Sequence, residues 1–391
     1  MEKIKSSSSQ IFQDLGYPKT NLENWKYTSS KVFQNYFFQK DKINFPKEIN
    51  RQNDTIYFIN GVLDYKSWEN FSLKKNITLE KIDNQVNEST VLSSENFIKE
   101  SMFHLSLSGV QEANYWRIFS KNPLEINFVY IFDTSIDNNM IASLNVFSIE
   151  EKSEITITEK KISLNSSCLG ISVSNFFCSE NSNLNHSLVT NENNLDKSLS
   201  FYNYKMQKNS NLAIDNVNHS STFDKKFFEI DLDGEGSDAE VNILNLVKGA
   251  QHYDNNILVN HNAPNCSSRQ NVNNILNNQS TAVFNGKVVV LKNAQKTDSE
   301  QSNKNLLLSE QSKAHSNPQL EIFADDVKCG HGSTTGALDD SSIFYLRSRG
   351  LSEEESRKIL IEAFAKEIVE DFSNSDLESD CNIIISKWIN G

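Results

Sequence analysis

Four stretches decide the fold: KSEITI (Lys152–Ile157), NSNLNHSLV (Asn181–Val189), NSNLAIDNV (Asn209–Val217) and GSDAEVNILNLV (Gly236–Val247). Each opens on a turn residue and a serine, followed by a short apolar alternation. Ser153, Ser182, Ser210 and Ser237 recur at spacings of 29, 28 and 27 residues. Around them lie further β-type runs, among them YWRIF (Tyr115–Phe119), LEINFVYIF (Leu124–Phe132) and AVFNGKVVV (Ala282–Val290). Asparagine, serine, glycine and aspartate separate these runs, and no helical pattern intervenes. A steady period near 28 residues, with two or three strands in each unit, is what a coiled parallel solenoid produces. Asparagine tolerates left-handed backbone, which suits the corners. A β-sandwich would also give short strands but does not require a fixed period. The expectation is a mainly β protein with a parallel β-helix core over 113–330. A small mixed cap over 1–112 precedes it, and a helical module over 331–391 follows.

In the cap, Asn21 is placed to start a helix through ENWKYTSSKVFQNYF (Glu23–Phe37), and Ser89–Leu107 reads as a second helix. TIYFINGVLDY (Thr55–Tyr65) has Asn60-Gly61 between apolar runs, the signature of a type I′ hairpin. In the tail, Asp339 and Asp340 sit at a helix start and Gly350 at its end, while Ser352 and Glu355 form a capping box. Leu360, Ile361, Phe364, Ile368 and Phe372 recur at helical spacing, either as an ordinary amphipathic face or as one that receives a partner.

The chain has 391 residues, a formal charge of −13 and a pI near 5.1, which argues against a role built on phosphate neutralisation, and so against nucleic acid. MEKIKSSSSQIF lacks the apolar core of a secretory signal, and no apolar run reaches the ~20 residues that span a bilayer. Cys168, Cys178, Cys266, Cys329 and Cys381 are scattered and odd in number, pointing to a reducing cytoplasm. Phosphate-binding loops, His-Glu-x-x-His and Gly-x-Ser-x-Gly are missing from the sequence. His186, His219, His252, His261 and His315 show no ligand spacing, although stacking of a solenoid would give His252 and His261 one route to each other. Asp231 and Asp233 have the spacing of a carboxylate pair on a carbohydrate-active β-helix, the alternative function, or of residues capping a turn.

PQLEIFADDVKCGHGSTTGALDDSSIFYLRSRG (Pro318–Gly350) joins sheet to helix. If the chain stays extended from Gln319, then Phe323, Asp325, Val327, Cys329 and His331 share one face. Gly330, Gly332 and Gly336 are expected to break the strand. A thiolate beside an imidazole suits iron, zinc or copper, yet two ligands alone fit a plain glycine-rich turn equally well.

This stretch resembles the D-type members of the SufB/SufD family of the Suf iron–sulfur cluster assembly system. The resemblance rests on ADDVKCGHGSTTGALDDSSIFYLRSRG (Ala324–Gly350), AQKTDSEQSNKNLLLSE (Ala294–Glu310), PQLEI (Pro318–Ile322), EAFAKEIVE (Glu362–Glu370) and ENWKYT (Glu23–Thr28). Gly330 departs from the small polar residue common at that position, and the middle of the chain matches in pattern more than in words. The resemblance implies a β-helix that pairs with a SufB-like subunit and docks a SufC-like ABC ATPase, as a scaffold without catalysis of its own. It implies docking through Phe344, Tyr345, Leu346, Arg347, Arg349, Leu360 and Phe364. It also implies transient iron or Fe–S cluster ligation at the interface by Cys329 and His331, with no cofactor held tightly by the isolated chain. A homodimer in the absence of SufB is a further implication.

Overall fold

The computed structural model describes residues 1–39, 45–47, 49–82, 88–164, 167–190 and 197–391. From Ala113 onward, successive strands fall alternately into two sheets. One holds Ala113–Ile118, Asn139–Ile149, Cys168–Cys178, Lys197–Met206, Phe223–Leu232, His252–His261, Thr281–Val290 and Lys313–Ile322. The other holds Leu124–Phe132, Glu154–Ser163, Asn183–Thr190, Asn211–Asn218, Asp238–Val247, Ser267–Leu276, Asp298–Leu307 and Lys328–Gly336. Neighbours along both series pair in parallel, which is a β-helix.

The serine repeat marks one corner of four successive turns. Glu154, Asn183, Asn211, Asp238, Ser267, Asp298 and Lys328 stack in register, so the serine preceding each of the first four occupies one spot. The Ser182, Ser210 and Ser237 hydroxyls donate to the carbonyls of Ser179, Gln207 and Gly234 at 2.7, 2.6 and 2.9 Å. The residues before the corner, Lys152, Asn181, Asn209, Gly236, Asn265 and Lys296, all have φ between 53° and 72°. This left-handed column explains the asparagines and Gly236, because a branched side chain is strained there.

Inside, side chains stack rung upon rung at the strand spacing of ~4.8 Å. Phe147, Phe176 and Tyr204 stack face to face, with ring centroids 4.6 and 4.9 Å apart. At the first turns the β-helix is covered. The hairpin Thr55–Ile59/Val62–Leu63 pairs with Leu124–Phe132, and Asn60 and Gly61 take the positive φ values that a type I′ turn requires. The strand Ile77–Lys81 runs antiparallel to Ala113–Ile118.

Two helix expectations in the cap are corrected. Glu23–Phe37 forms two short 3₁₀ turns, Glu23–Trp25 and Ser30–Phe33. An α-helix would give the Asn24 carbonyl to the Thr28 amide, but here it accepts from Lys225 Nζ at 2.7 Å. The same ammonium lies 4.7 Å over the Trp25 ring, and the Trp25 indole donates to Glu100 at 3.0 Å. Ser89–Leu107 is likewise broken into Glu88–Val91, a turn at Phe97–Lys99 and Ser101–Gly109.

In the tail, Asp339 caps Asp340–Ser348. That helix closes with Gly350 at φ 96° and two backward amides, Gly350 to Arg347 and Leu351 to Leu346, a Schellman motif. Ser352 and Glu355 form the capping box of Glu353–Val369. This helix and Ser375–Asn390 pack Ile361, Ala365, Ile368, Val369 and Trp388 onto Val217, Leu244, Leu246, Ile275 and Leu306 on the outside of the second sheet.

Candidate functional site

Cys329 and His331 lie in the last strand, Lys328–Gly336. Two expectations change here. The extended run from Gln319 ends at Ile322 and the chain turns before Lys328, so Phe323, Asp325 and Val327 do not share a strand with Cys329 and His331. Gly330, Gly332 and Gly336 do not break the strand, because its ladder with Asp298–Leu307 is continuous from Lys328 to Gly336. Two-residue alternation along one strand keeps Cys329 and His331 on one side. Their ladder partners are Ser299 and Gln301, both buried in the interior.

Lys328–Gly336 pairs on one side only, as does Lys313–Ile322 in the other sheet. The Lys328 amide donates to Thr297 at 2.8 Å, and in a parallel ladder alternate amides point the same way. The amides of Cys329, His331 and Ser333 therefore face away from the β-helix, toward whatever covers this end. His331 is exposed, and the neighbouring corner presents Phe323 at 60 % exposure. Cys329 is half-buried, and burial raises its thiol above the ordinary range. A thiol and an imidazole on one strand fit a soft metal, but among the described residues no three His, Cys, Asp or Glu side chains gather closely enough to hold one. With four ligands usual for a cluster, at least two more would come from outside this strand.

The remaining histidines have other partners. His186 bonds Tyr204 OH at 2.7 Å, and burial pushes it down to about 3. His261 bonds Ser268 at 2.9 Å and His252 bonds Thr28 at 2.9 Å, each pushed down to about 4 by burial. His252 and His261 sit at opposite ends of one strand and do not meet. His315 stacks on Tyr27 with centroids 4.1 Å apart. Asp231 is ion-paired with Lys205 at 2.6 Å and Asp233 accepts from Asn262 at 2.8 Å, so neither carboxylate waits in a groove.

The tail residues divide. Phe344 and Tyr345 are exposed by 74 % and 56 %, on the helix Asp340–Ser348. The Arg349 guanidinium lies 5.1 Å over the Tyr345 ring, and Arg347 reaches Glu353 at 3.5 Å. Leu346 and Leu360 are half-buried. Phe364 packs toward the β-helix, and its carbonyl accepts from Asn273 at 3.4 Å. Sequence reading missed the buried glutamines Gln270 and Gln301 beneath His331. They are 31 residues apart and adjacent only through the ladder.

The chain is thus a parallel β-helix whose last two strands each have one unpaired edge, with a thiol and an imidazole side by side on one of them. A family model, SUF system FeS cluster assembly, SufBD core domain, matches residues 132–364, more than half of the chain. The chain belongs to that family. It is 41 % identical over 147 residues to the iron–sulfur cluster assembly protein SufD of Escherichia coli, across 38 % of this chain and 35 % of that protein. It is 29 % identical over 272 residues to an iron–sulfur cluster assembly SufBD family protein of Synechocystis, across 66 % and 58 %. A SufBD family protein of Mycobacterium leprae is 38 % identical over 144 residues, across 35 % and 37 %. The matches thus span about a third to three fifths of these relatives' lengths. Among the described residues no helix is long and apolar enough to cross a membrane.

Proposed function

We propose that the chain is a non-catalytic scaffold subunit for iron–sulfur cluster assembly. It pairs through the open end of its β-helix with a SufB-like subunit and docks a SufC-like ABC ATPase through its tail. Iron or the nascent cluster is the cargo, ligated in passing by Cys329 and His331 together with residues of the SufB-like chain. The observation that carries this reading is the uncovered last turn: a row of unpaired strand amides is a template for another strand, and the two metal-suited side chains stand on it. Between them His331 leads, because a neutral imidazole binds and releases iron while its other nitrogen is fixed. The exposed Phe344 and Tyr345 favour the ATPase contact. Five cysteines, none of them in a disulfide, favour a reducing, cytoplasmic setting.

The test is co-expression with neighbouring reading frames and pull-down of the tagged chain. Recovery of an ABC ATPase and a SufB-like protein is expected, with His331→Ala leaving that complex intact and lowering cluster absorbance. Normal cluster yield in the Cys329→Ser/His331→Ala double variant would reduce both residues to structural parts of the last strand.

A further inference from the structure

The interior changes character just below the open end. Following one inward column up the second sheet gives Ile157, His186, Ile214, Val241, Gln270, Gln301 and then His331. The adjacent column runs Ile155, Leu184, Leu212, Ala239, Ser268, Ser299 and then Cys329. Apart from His186 in the first column, both columns are apolar until the two rungs beneath the thiol and the imidazole, where glutamine and serine take over.

These polar side chains are linked. Gln301 Nε2 donates to Gln270 Oε1 at 3.2 Å, and Ser268 meets Ser299 at 2.9 Å and His261 at 2.9 Å. Room for the Gln270 amide comes from Gly286 on the facing sheet, where a Cβ would stand 2.9 Å from Gln270 Oε1. Two polar atoms are left over, the Gln270 Nε2 donor and the Gln301 Oε1 acceptor. Gln301 is 1 % exposed, and its Oε1 has no hydrogen-bond partner. A buried carbonyl without a partner forfeits the hydrogen bond it had to water, so a resident of this kind calls for an explanation. Its nearest rung on the open side is His331.

We propose that Gln301 is a positioning residue for His331. When the open end is covered, Gln301 Oε1 accepts the imidazole N–H, fixing the tautomer and turning the other ring nitrogen toward the cargo iron. This rests on the scaffold reading above. The Gln270 amide, seated against Gly286, holds Gln301 from below.

The experiment compares Gln301→Leu, Gln301→Met and Gln301→Glu in the co-expressed complex, reading complex recovery by size exclusion and cluster absorbance per mole of complex. Leu and Met remove the acceptor at similar volume. Glu keeps an oxygen, to which a flipped Gln270 amide can donate. With complex recovery unchanged, the Leu and Met variants are expected to lose cluster yield about tenfold, the lower bound for losing an outer hydrogen-bond partner of a ligand. Glu is expected to restore most of it. Wild-type yield in both Leu and Met variants overturns the assignment, as does an equal loss in all three. If His331→Ala itself leaves cluster yield intact, the scaffold reading fails at its ligand. If His331→Ala lowers the yield but Gln301→Met does not, only the positioning role fails.

Discussion

At its first turns the β-helix is covered by a hairpin, an antiparallel strand and helices that bury Trp116, Phe58 and Phe103. At its last turn both strands stop with one side unpaired, and hardly a residue of Lys328–Gly336 is shielded. A solenoid needs a cap at each end to stay monomeric. The covered end is finished by the chain itself, whereas among the described residues no strand pairs with the outer edge of the open end. In the two inward columns that end at Cys329 and His331, aliphatic side chains (His186 apart) give way to glutamine and serine in the last two rungs.

The contrast breaks if stability of the isolated chain depends equally on both ends. Phe176→Ala, in the middle of the Phe147–Phe176–Tyr204 stack, is expected to lose about 3–5 kcal/mol in denaturant unfolding. A loss under 1 kcal/mol would mean that the stack does not carry the core.

Acid should weaken the interior next. His186 and His261 are buried neutral, with folded values of about 3 and 4 against an ordinary 6.5. The unfolded chain therefore takes up their protons first, and stability falls as pH drops from 6.5 toward 4, by about 1.4 kcal/mol per pH unit for each group. Glu159 acts in the opposite sense. Burial raises it to about 7, so its protonation favours the folded chain as pH falls from 7 toward 4.5. The net expectation is lower denaturant stability at pH 5 than at pH 7. His261→Gln should flatten that slope, and an unchanged slope would show that His261 does not titrate on unfolding.

Two aspartate substitutions divide the tail. Phe364→Asp places a charge against the β-helix and should loosen the helix Glu353–Val369, seen as faster amide exchange there. Phe344→Asp with Tyr345→Asp should leave exchange and melting temperature unchanged yet abolish ATPase co-purification. Retained ATPase binding would move the docking face elsewhere.

The smallest expected effect on the isolated chain sharpens the contrast most. Ser333→Pro removes one outward amide from an edge strand, a position where proline is tolerated. The melting temperature should stay within about 2 °C, since substitutions away from packed features change stability by under 0.5 kcal/mol. Pairing with the SufB-like subunit should be lost in pull-down, and full pairing would mean the partner does not add to this strand.

Much of the architecture was legible because a solenoid repeats its local chemistry. The corner serine recurs at Ser153, Ser182, Ser210 and Ser237, with a left-handed residue before it, asparagine at two of the four, and an alternation after it. Helix signals in the tail were legible for the same reason, since Asp339, Gly350, Ser352 and Glu355 act within a few residues of themselves. Trp25 was misread as helical because the groups that hold it, Lys225 and Glu100, come from elsewhere in the chain. The glycines of Lys328–Gly336 read as breakers because local propensity disfavours a strand there, yet the ladder to Asp298–Leu307 outweighed it.

By itself the sequence determined the period, the corners and the pairing of a thiol with an imidazole two residues apart, since those are interactions of near neighbours. Only the tertiary structure decided that Phe364 faces inward while Phe344 faces out, that the last turn is left open, and that Gln301 sits beneath His331. The physical reason is the geometry of the coil. Residues about 30 apart in sequence become neighbours across a single ~4.8 Å rung, so their contacts are set by register and not by local propensity.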